Sequence, residues 1–376
     1  MNQSTKLFEQ AGQSVWYDNI QRSLLRNGEM ARMITQGEIR GVTSNPTIFM
    51  NSITKSQDYD ETLIPMARAG ASAMDIFFKL AIEDIQATAD LFLPLYTQTS
   101  GGDGYVSLEV NPYLAKDTLG TLDEVKRLWK MVDRPNLMIK IPATKAGLPA
   151  ITAALAEGIN VNVTLIFSRQ RYSEVMVAHM AGLERRLEKG FQIDRIASVA
   201  SFFVSRVDTI IDPRLHAIVG RQGSQAEAAK QLLGKAAITN ARLAYADFKA
   251  MVAKECFQIL KDNGAHPQRP LWASTSTKNP AYRDVIYVEE LIGQDTVNTM
   301  PPQTLLAFLD HGVVRSNSLE EDLIGAQQTM VALEDLGISM LAVTQQLEDE
   351  GVKSFADSFT ALLEAVEKRG QTVAVV

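Results

Sequence analysis

Leu137-Met-Ile-Lys-Ile-Pro-Ala-Thr144 is the stretch whose reading decides the fold. In an extended segment side chains alternate faces, so Leu137, Ile139 and Ile141 share one side while Met138 and Lys140 share the other. One face is wholly aliphatic and the other carries a lone ammonium. An isolated charge taken out of water is so costly that the group either snorkels to an edge or gives up its charge. A neutral amine is a nucleophile, and a desolvated strand lysine can attack a ketone to form a Schiff base.

The two-faced pattern recurs on either side of this segment. Upstream, Ser14 to Asp18 reads as a strand with Asp18 at its end, and Gly41 to Phe49 as a short strand stopped by Pro46, which leaves Asn45 at a strand terminus. Tyr105 to Val110 sets Val106, Leu108 and Val110 against Tyr105, Ser107 and Glu109. Downstream the alternation is cleanest, with Ile159, Val161, Val163 and Leu165 facing one way and Asn160, Asn162 and Thr164 the other. Ala197 to Val204, with Arg206 just past it, Arg269 to Lys278, and Thr296 to Met300 complete eight strand-like runs.

Helical spacing fills the gaps. It is seen at Lys6 to Gln13, from the first strand to Ile34, over 71–96, at Leu122 to Met131, after Gly147, at Gln170 to Lys189, up to Leu260, and around Tyr282 to Ile292. A polar, glycine-containing insert is expected from Val207 to Gly234. The remainder is helical at Leu305 to Leu309, Glu320 to Leu336 and Ser354 to Lys368, the last with a packing stripe of Phe355, Phe359, Leu362, Leu363 and Val366. Central strands of an open doubly wound sheet are covered on both faces and read as nearly continuous apolar runs, which these do not. An aliphatic outer face and a polar inner face suit a closed barrel with its site at the C-terminal strand ends. The expectation is an α/β fold: one (β/α)8 TIM-barrel domain over 1–376 with extra N- and C-terminal helices, residues 303–376 forming a helical extension packed on the barrel.

Composition narrows the function. Of 376 residues, 46% are hydrophobic and 22% charged, ordinary for a globular chain with a large core. The net charge of -7 argues against a general nucleic-acid or anionic-membrane surface. The single cysteine, Cys256, rules out an intramolecular disulfide framework, and its place on the stripe Phe248, Met251, Val252, Cys256, Ile259 makes it a core residue by expectation. Met1 to Gln10 has no apolar run behind a basic cluster, and no run approaches membrane-spanning length, so a soluble, cytoplasmic protein is expected. The Asn162-Val163-Thr164 sequon lies inside a strand and is set aside. The histidines His179, His216, His266 and His311 lack paired ligand spacing, and Gly234-Lys235-Ala236 lacks the hydroxyl of a nucleotide-binding loop, so metal and nucleotide chemistry are not expected.

Polar residues at or just past the strand ends are Asp18, Asn45, Glu109, Lys140, Asn162, Thr164, Ser201, Arg206, Lys278 and Asn298. Any one could be a cap or turn residue, but their convergence on one end of a barrel defines a site. Lys140 supplies the amine, Glu109 shuttles protons through a water that Thr164 orients, and Asp18 takes the proton of a substrate hydroxyl to start carbon–carbon cleavage. Asn45 and Asn162 hydrogen-bond substrate hydroxyls, while Ser201, Arg206 and Lys278 hold a terminal phosphate. That set describes a Schiff-base aldolase or aldol transferase.

Gly41-Val-Thr-Ser-Asn-Pro-Thr-Ile-Phe49, Leu137-Met-Ile-Lys-Ile-Pro-Ala-Thr144 and Gly158-Ile-Asn-Val-Asn-Val-Thr-Leu-Ile-Phe-Ser168 together resemble the transaldolase family, over roughly Ser14 to Pro302. The ending Asp295-Thr-Val-Asn-Thr-Met-Pro301 resembles its longer bacterial form. The resemblance implies a (β/α)8 barrel without metal or organic cofactor, transferring a dihydroxyacetone unit in the non-oxidative pentose phosphate pathway. The donor would be sedoheptulose 7-phosphate or fructose 6-phosphate, and the acceptor glyceraldehyde 3-phosphate or erythrose 4-phosphate. It further implies that Lys140 is the Schiff-base lysine, Asp18 and Glu109 the acid/base pair, Thr164 the water-holding threonine, Asn45, Asn162 and Ser201 substrate contacts, and Arg206 a phosphate contact. Many members carry a second arginine where Ala273 to Asn279 stands, and Lys278 is the equivalent taken here. The expected partners are phosphorylated ketoses and aldoses, with no nucleic acid or membrane, in a monomer or homodimer. A fructose 6-phosphate aldolase-like lyase and a silent sugar-phosphate binder are the alternatives, the latter disfavoured by the presence of Lys140, Asp18 and Glu109.

Overall fold

The computed structural model describes residues 1–374. Eight parallel strands close into a barrel in sequence order: β1 (Ser14–Asp18), β2 (Val42–Thr43), β3 (Val106–Glu109), β4 (Leu137–Pro142), β5 (Val161–Ile166), β6 (Ser198–Phe203), β7 (Arg269–Ala273) and β8 (Val297–Met300). Closure is the pairing of β1 with β8, beginning at Ser14 opposite Val297. The aliphatic strand faces pack outward against helices, as the alternation requires, so Leu137, Ile139, Ile141, Val161 and Val163 are fully buried. At the N-terminal end, the Asp103 carboxylate accepts from Ser14 Oγ, Trp16 Nε1 and Arg40 Nε at 2.5, 3.0 and 2.7 Å beside a cavity of about 310 Å³.

β5 departs from a regular strand. Its register with β6 shifts between Val163 and Ile166, and Leu165 adopts φ +60°, a left-handed backbone uncommon for a residue with a side chain. The bulge removes Leu165 from the aliphatic face expected of it. Its side chain lies against Gly351 of the C-terminal helix Met340–Ala374, where an added Cβ would sit 3.1 Å from Leu165 Cδ2 and 3.4 Å from Phe167.

Three other expectations are corrected. The region from Val207 to Gly234 is not an irregular insert but the helices Ser205–Gly220 and Ala226–Leu232. Val207, Ile211 and Leu215 bury one face at helical spacing with Asp208 and Asp212 buried beside them, while Thr209, Arg214 and His216 are exposed. Cys256 is exposed. The helix Ala236–Val252 stops short of it, and a new helix, Glu255–Asp262, starts with a different phase that buries Phe257 and Leu260 and leaves Ile259 outside. The helix expected at Tyr282 to Ile292 is a single turn, Ile286–Glu289.

Past β8 the helices Pro302–His311, Leu323–Asp335 and Met340–Ala374 follow. The last crosses the C-terminal end of the barrel. Phe359 fills an aromatic cluster with Phe77, Phe78 and Tyr113 at centroid distances of 5.5, 6.4 and 5.5 Å. Polar ties flank it: Arg171 to Glu348 at 3.3 Å, Thr47 Oγ1 to Ser358 Oγ at 3.1 Å, and Arg369 to Asp60 at 2.7 Å. No helix among the described residues is long and apolar enough to cross a membrane.

Candidate active site

The C-terminal mouth holds a cavity of about 170 Å³ whose wall includes Asp18, Asn45, Lys140, Thr164, Ser201, Arg206 and Lys278. Of the other three expected site residues, Glu109 and Asn162 are not on that wall but lie among the inward side chains beneath it, and Asn298 is no site residue: it takes the outward register of β8, opposite Val15 and Trp272, where it accepts from Thr275 Oγ1 and donates to the Tyr287 carbonyl. Register explains the grouping. Glu109 on β3 stands opposite Lys140 on β4, Lys140 opposite Asn162 on β5, and Pro142 opposite Thr164. All four side chains therefore project to the inside of three adjacent strands.

Lys140 is 5% exposed and Glu109 8%. The ammonium donates to the Ser44 carbonyl at 2.9 Å and meets Glu109 Oε2 at 3.5 Å. Burial pushes the Glu109 carboxyl up to about 7 against the opposing pull of the Lys140 charge, with Asp18 adding a smaller push in the same direction. Asp18 is likewise raised by burial, while a 2.7 Å hydrogen bond from Thr43 Oγ1 and the Lys140 charge hold it down. Because Thr43 spends its proton on Asp18, the 2.7 Å contact between Thr43 and Thr299 has Thr299 as donor. A buried carboxylate, a half-buried one and a buried ammonium thus share the centre.

Thr164 is fully buried, and its hydroxyl has no hydrogen-bond partner among the described residues. Such a group costs free energy unless something small and polar meets it. Asn45 is both cap and wall: its Oδ1 accepts from Ile48 N at 3.0 Å, starting the helix Pro46–Lys55, and the residue borders the cavity. Asn162 is committed within the protein, donating to Ser107 Oγ at 3.0 Å and accepting from Ser201 Oγ at 2.7 Å. Ser201 therefore faces the cavity with lone pairs free.

Arg206 opens the helix Ser205–Gly220, half-buried, 5.3 Å from the Phe203 ring. Burial lowers its pKa, with Glu350 of the C-terminal helix acting weakly the other way, and it makes no salt bridge among the described residues. Across from it, the 274–285 loop carries Ser276 and Lys278, whose ammonium donates to Ser276 Oγ at 2.7 Å. Tyr282 and Tyr287, which follow Lys278 in the chain, donate to Asp212 and Asp208 at 2.7 Å each, tying this region to the helix Ser205–Gly220 that carries Arg206. Those two carboxylates also accept the backbone N–H groups of Gly234 and Ala237.

Sequence reasoning missed Thr43, Ser274, Ser276, Thr299 and Phe355. The threonines are ordinary strand formers with nothing to mark them. Phe355 stands in a stripe that reads as packing, yet its ring centroid lies 5.8 Å from Lys140 Nζ. Among the described residues no cluster of histidine, cysteine, aspartate or glutamate suits a metal ion.

A closed parallel eight-stranded barrel with a buried lysine flanked by two carboxylates at its C-terminal mouth defines a (β/α)8-barrel protein with a lysine-centred site. Residues 15–366 match the Transaldolase/Fructose-6-phosphate aldolase family. Similar proteins named transaldolase include one from Saccharopolyspora erythraea, 48% identical over 98% of both chains, and one from Thermobifida fusca, 49% identical over 96% of both. A transaldolase of Mycobacterium tuberculosis is 45% identical over 97% of this chain and 96% of its own. The chain belongs to the transaldolase/fructose-6-phosphate aldolase family.

Proposed function

We propose that this protein is a transaldolase, moving a dihydroxyacetone unit between sugar phosphates through an imine on Lys140. Sedoheptulose 7-phosphate or fructose 6-phosphate donates, and glyceraldehyde 3-phosphate or erythrose 4-phosphate accepts, within the cytoplasmic non-oxidative pentose phosphate pathway. The observation that carries the reading is the burial of Lys140 against Glu109, with Asp18 on the same centre.

Glu109 takes the proton of Lys140, freeing the amine to attack the ketose C2 carbonyl. It returns the proton to the carbinolamine hydroxyl, which leaves as water. Thr164, whose hydroxyl lacks a protein partner, orients the water that relays these protons. Asp18 takes the proton of the C4 hydroxyl, and the C3–C4 bond breaks with its electron pair moving into the iminium. The aldose leaves and the enamine of dihydroxyacetone stays on Lys140. Its C3 then attacks the acceptor aldehyde, and Asp18 protonates the new alkoxide. Asn45 and Ser201 hold substrate hydroxyls, and Asn162 holds Ser201 in place through the 2.7 Å bond. Arg206, lacking a carboxylate partner, and the more exposed Lys278 receive the phosphate.

Fructose 6-phosphate and erythrose 4-phosphate incubated with the protein should yield sedoheptulose 7-phosphate and glyceraldehyde 3-phosphate. Lys140→Ala should abolish both products. Transfer persisting in that variant would overturn the assignment.

A further inference from the structure

The enamine left on Lys140 has two exits. In transfer its C3 forms a bond to an aldehyde carbon. In loss a proton adds to C3, water adds to C2, the C2–N bond breaks, and dihydroxyacetone leaves with the lysine amine restored. The second path needs water at the imine, so whatever keeps water away sets the ratio of the two.

Phe355 is the one residue of the C-terminal helix that lines the cavity among the described residues. Its ring centroid stands 5.8 Å from Lys140 Nζ, on a cavity wall otherwise mostly polar. The helix is anchored on both sides of it. Before it, Glu348 pairs with Arg171 and Gly351 lies against Leu165 at the β5 bulge; after it, Ser358 bonds Thr47 and Phe359 fills the aromatic cluster. The backbone that carries the ring is therefore held on both sides of it. The ring also leaves the Lys140 hydrogen bonds untouched, since those go to Ser44 and Glu109.

We infer that Phe355 is a specificity-determining residue: its ring shields the Lys140 imine from water and so commits the dihydroxyacetone unit to an acceptor aldehyde. The inference rests on the imine mechanism proposed above.

The test compares wild type with Phe355→Ala and Phe355→Leu. Fructose 6-phosphate is supplied with and without erythrose 4-phosphate. Free dihydroxyacetone and sedoheptulose 7-phosphate are both quantified, and the Lys140 adduct is trapped with borohydride in parallel. The ratio of dihydroxyacetone released to sedoheptulose 7-phosphate formed is independent of how much enzyme is folded, so general destabilisation does not move it. Phe355→Ala should keep the adduct and raise that ratio about tenfold, Phe355→Leu less, because the aliphatic chain restores part of the cover. An unchanged ratio in both variants would overturn the inference, as would loss of the adduct in both, which would make the ring a requirement for imine formation. Absence of an adduct in the wild type would instead remove the imine on which it depends.

Discussion

At Glu109 and Lys140 the mechanism depends on one shared proton. With the Glu109 carboxyl pushed up to about 7, acid conditions protonate it and leave it unable to take the Lys140 proton; above that pH it is ionised and can. Activity should therefore rise through about pH 7, and Glu109→Gln should lose this limb while kcat falls about 10²–10⁴-fold, the range for removing a general acid–base group. A pH profile of kcat/KM for both proteins checks it. The two phosphate contacts are unequal. Arg206 is half-buried with no salt bridge among the described residues, whereas Lys278 is exposed and already bonded to Ser276. Arg206→Ala should raise KM for fructose 6-phosphate about 10–100-fold, and Lys278→Ala only about 2–5-fold, with little change for unphosphorylated fructose in either, as steady-state kinetics on both sugars would show.

The element that most alters the site is the helix Met340–Ala374. Phe359, 1% exposed, joins it to Phe77, Phe78 and Tyr113. Phe359→Ala should destabilise by about 3–5 kcal/mol if the cost is felt globally. If the helix loosens alone, residues 340–374 should show faster amide exchange before the barrel does, and exchange mass spectrometry distinguishes the two. Phe359 and Phe355 fall in one helical stripe, and periodicity cannot separate them; only docking of the helix across the mouth makes one a core residue and the other a cavity wall. The β5 bulge was equally hidden, because the alternation continues through Leu165 and the backbone change depends on what packs beside it. The break before Cys256 escaped notice for a related reason: the apolar stripe continues across it by coincidence of phase.

For the whole molecule, the closed barrel was legible because β3, β4 and the first part of β5 put an aliphatic face outward and a polar one inward, and a lysine on an inward face narrows the remaining choices sharply. Lys140, Glu109, Asp18 and Thr164 could be found as polar residues on the inward faces or at the strand ends, whereas Thr43 and Thr299 sit in runs too short to show an alternation. The chain carries a net charge of -7, so a doubly charged phosphosugar reaches the mouth against the overall field and through the local field of Arg206, Lys278 and Lys140. Screening weakens the short-range attraction at the mouth, and KM for fructose 6-phosphate should rise roughly two- to fivefold between low salt and 0.5 M sodium chloride, where the Debye length is only about 4 Å. A KM that falls over this range would show that global repulsion dominates.

Borohydride reduction of the protein with fructose 6-phosphate, followed by peptide mass spectrometry, tests the account most directly. A dihydroxyacetone-sized adduct on the peptide containing Lys140, absent in Lys140→Ala, is the expected result. An adduct on another lysine, or none, would contradict it.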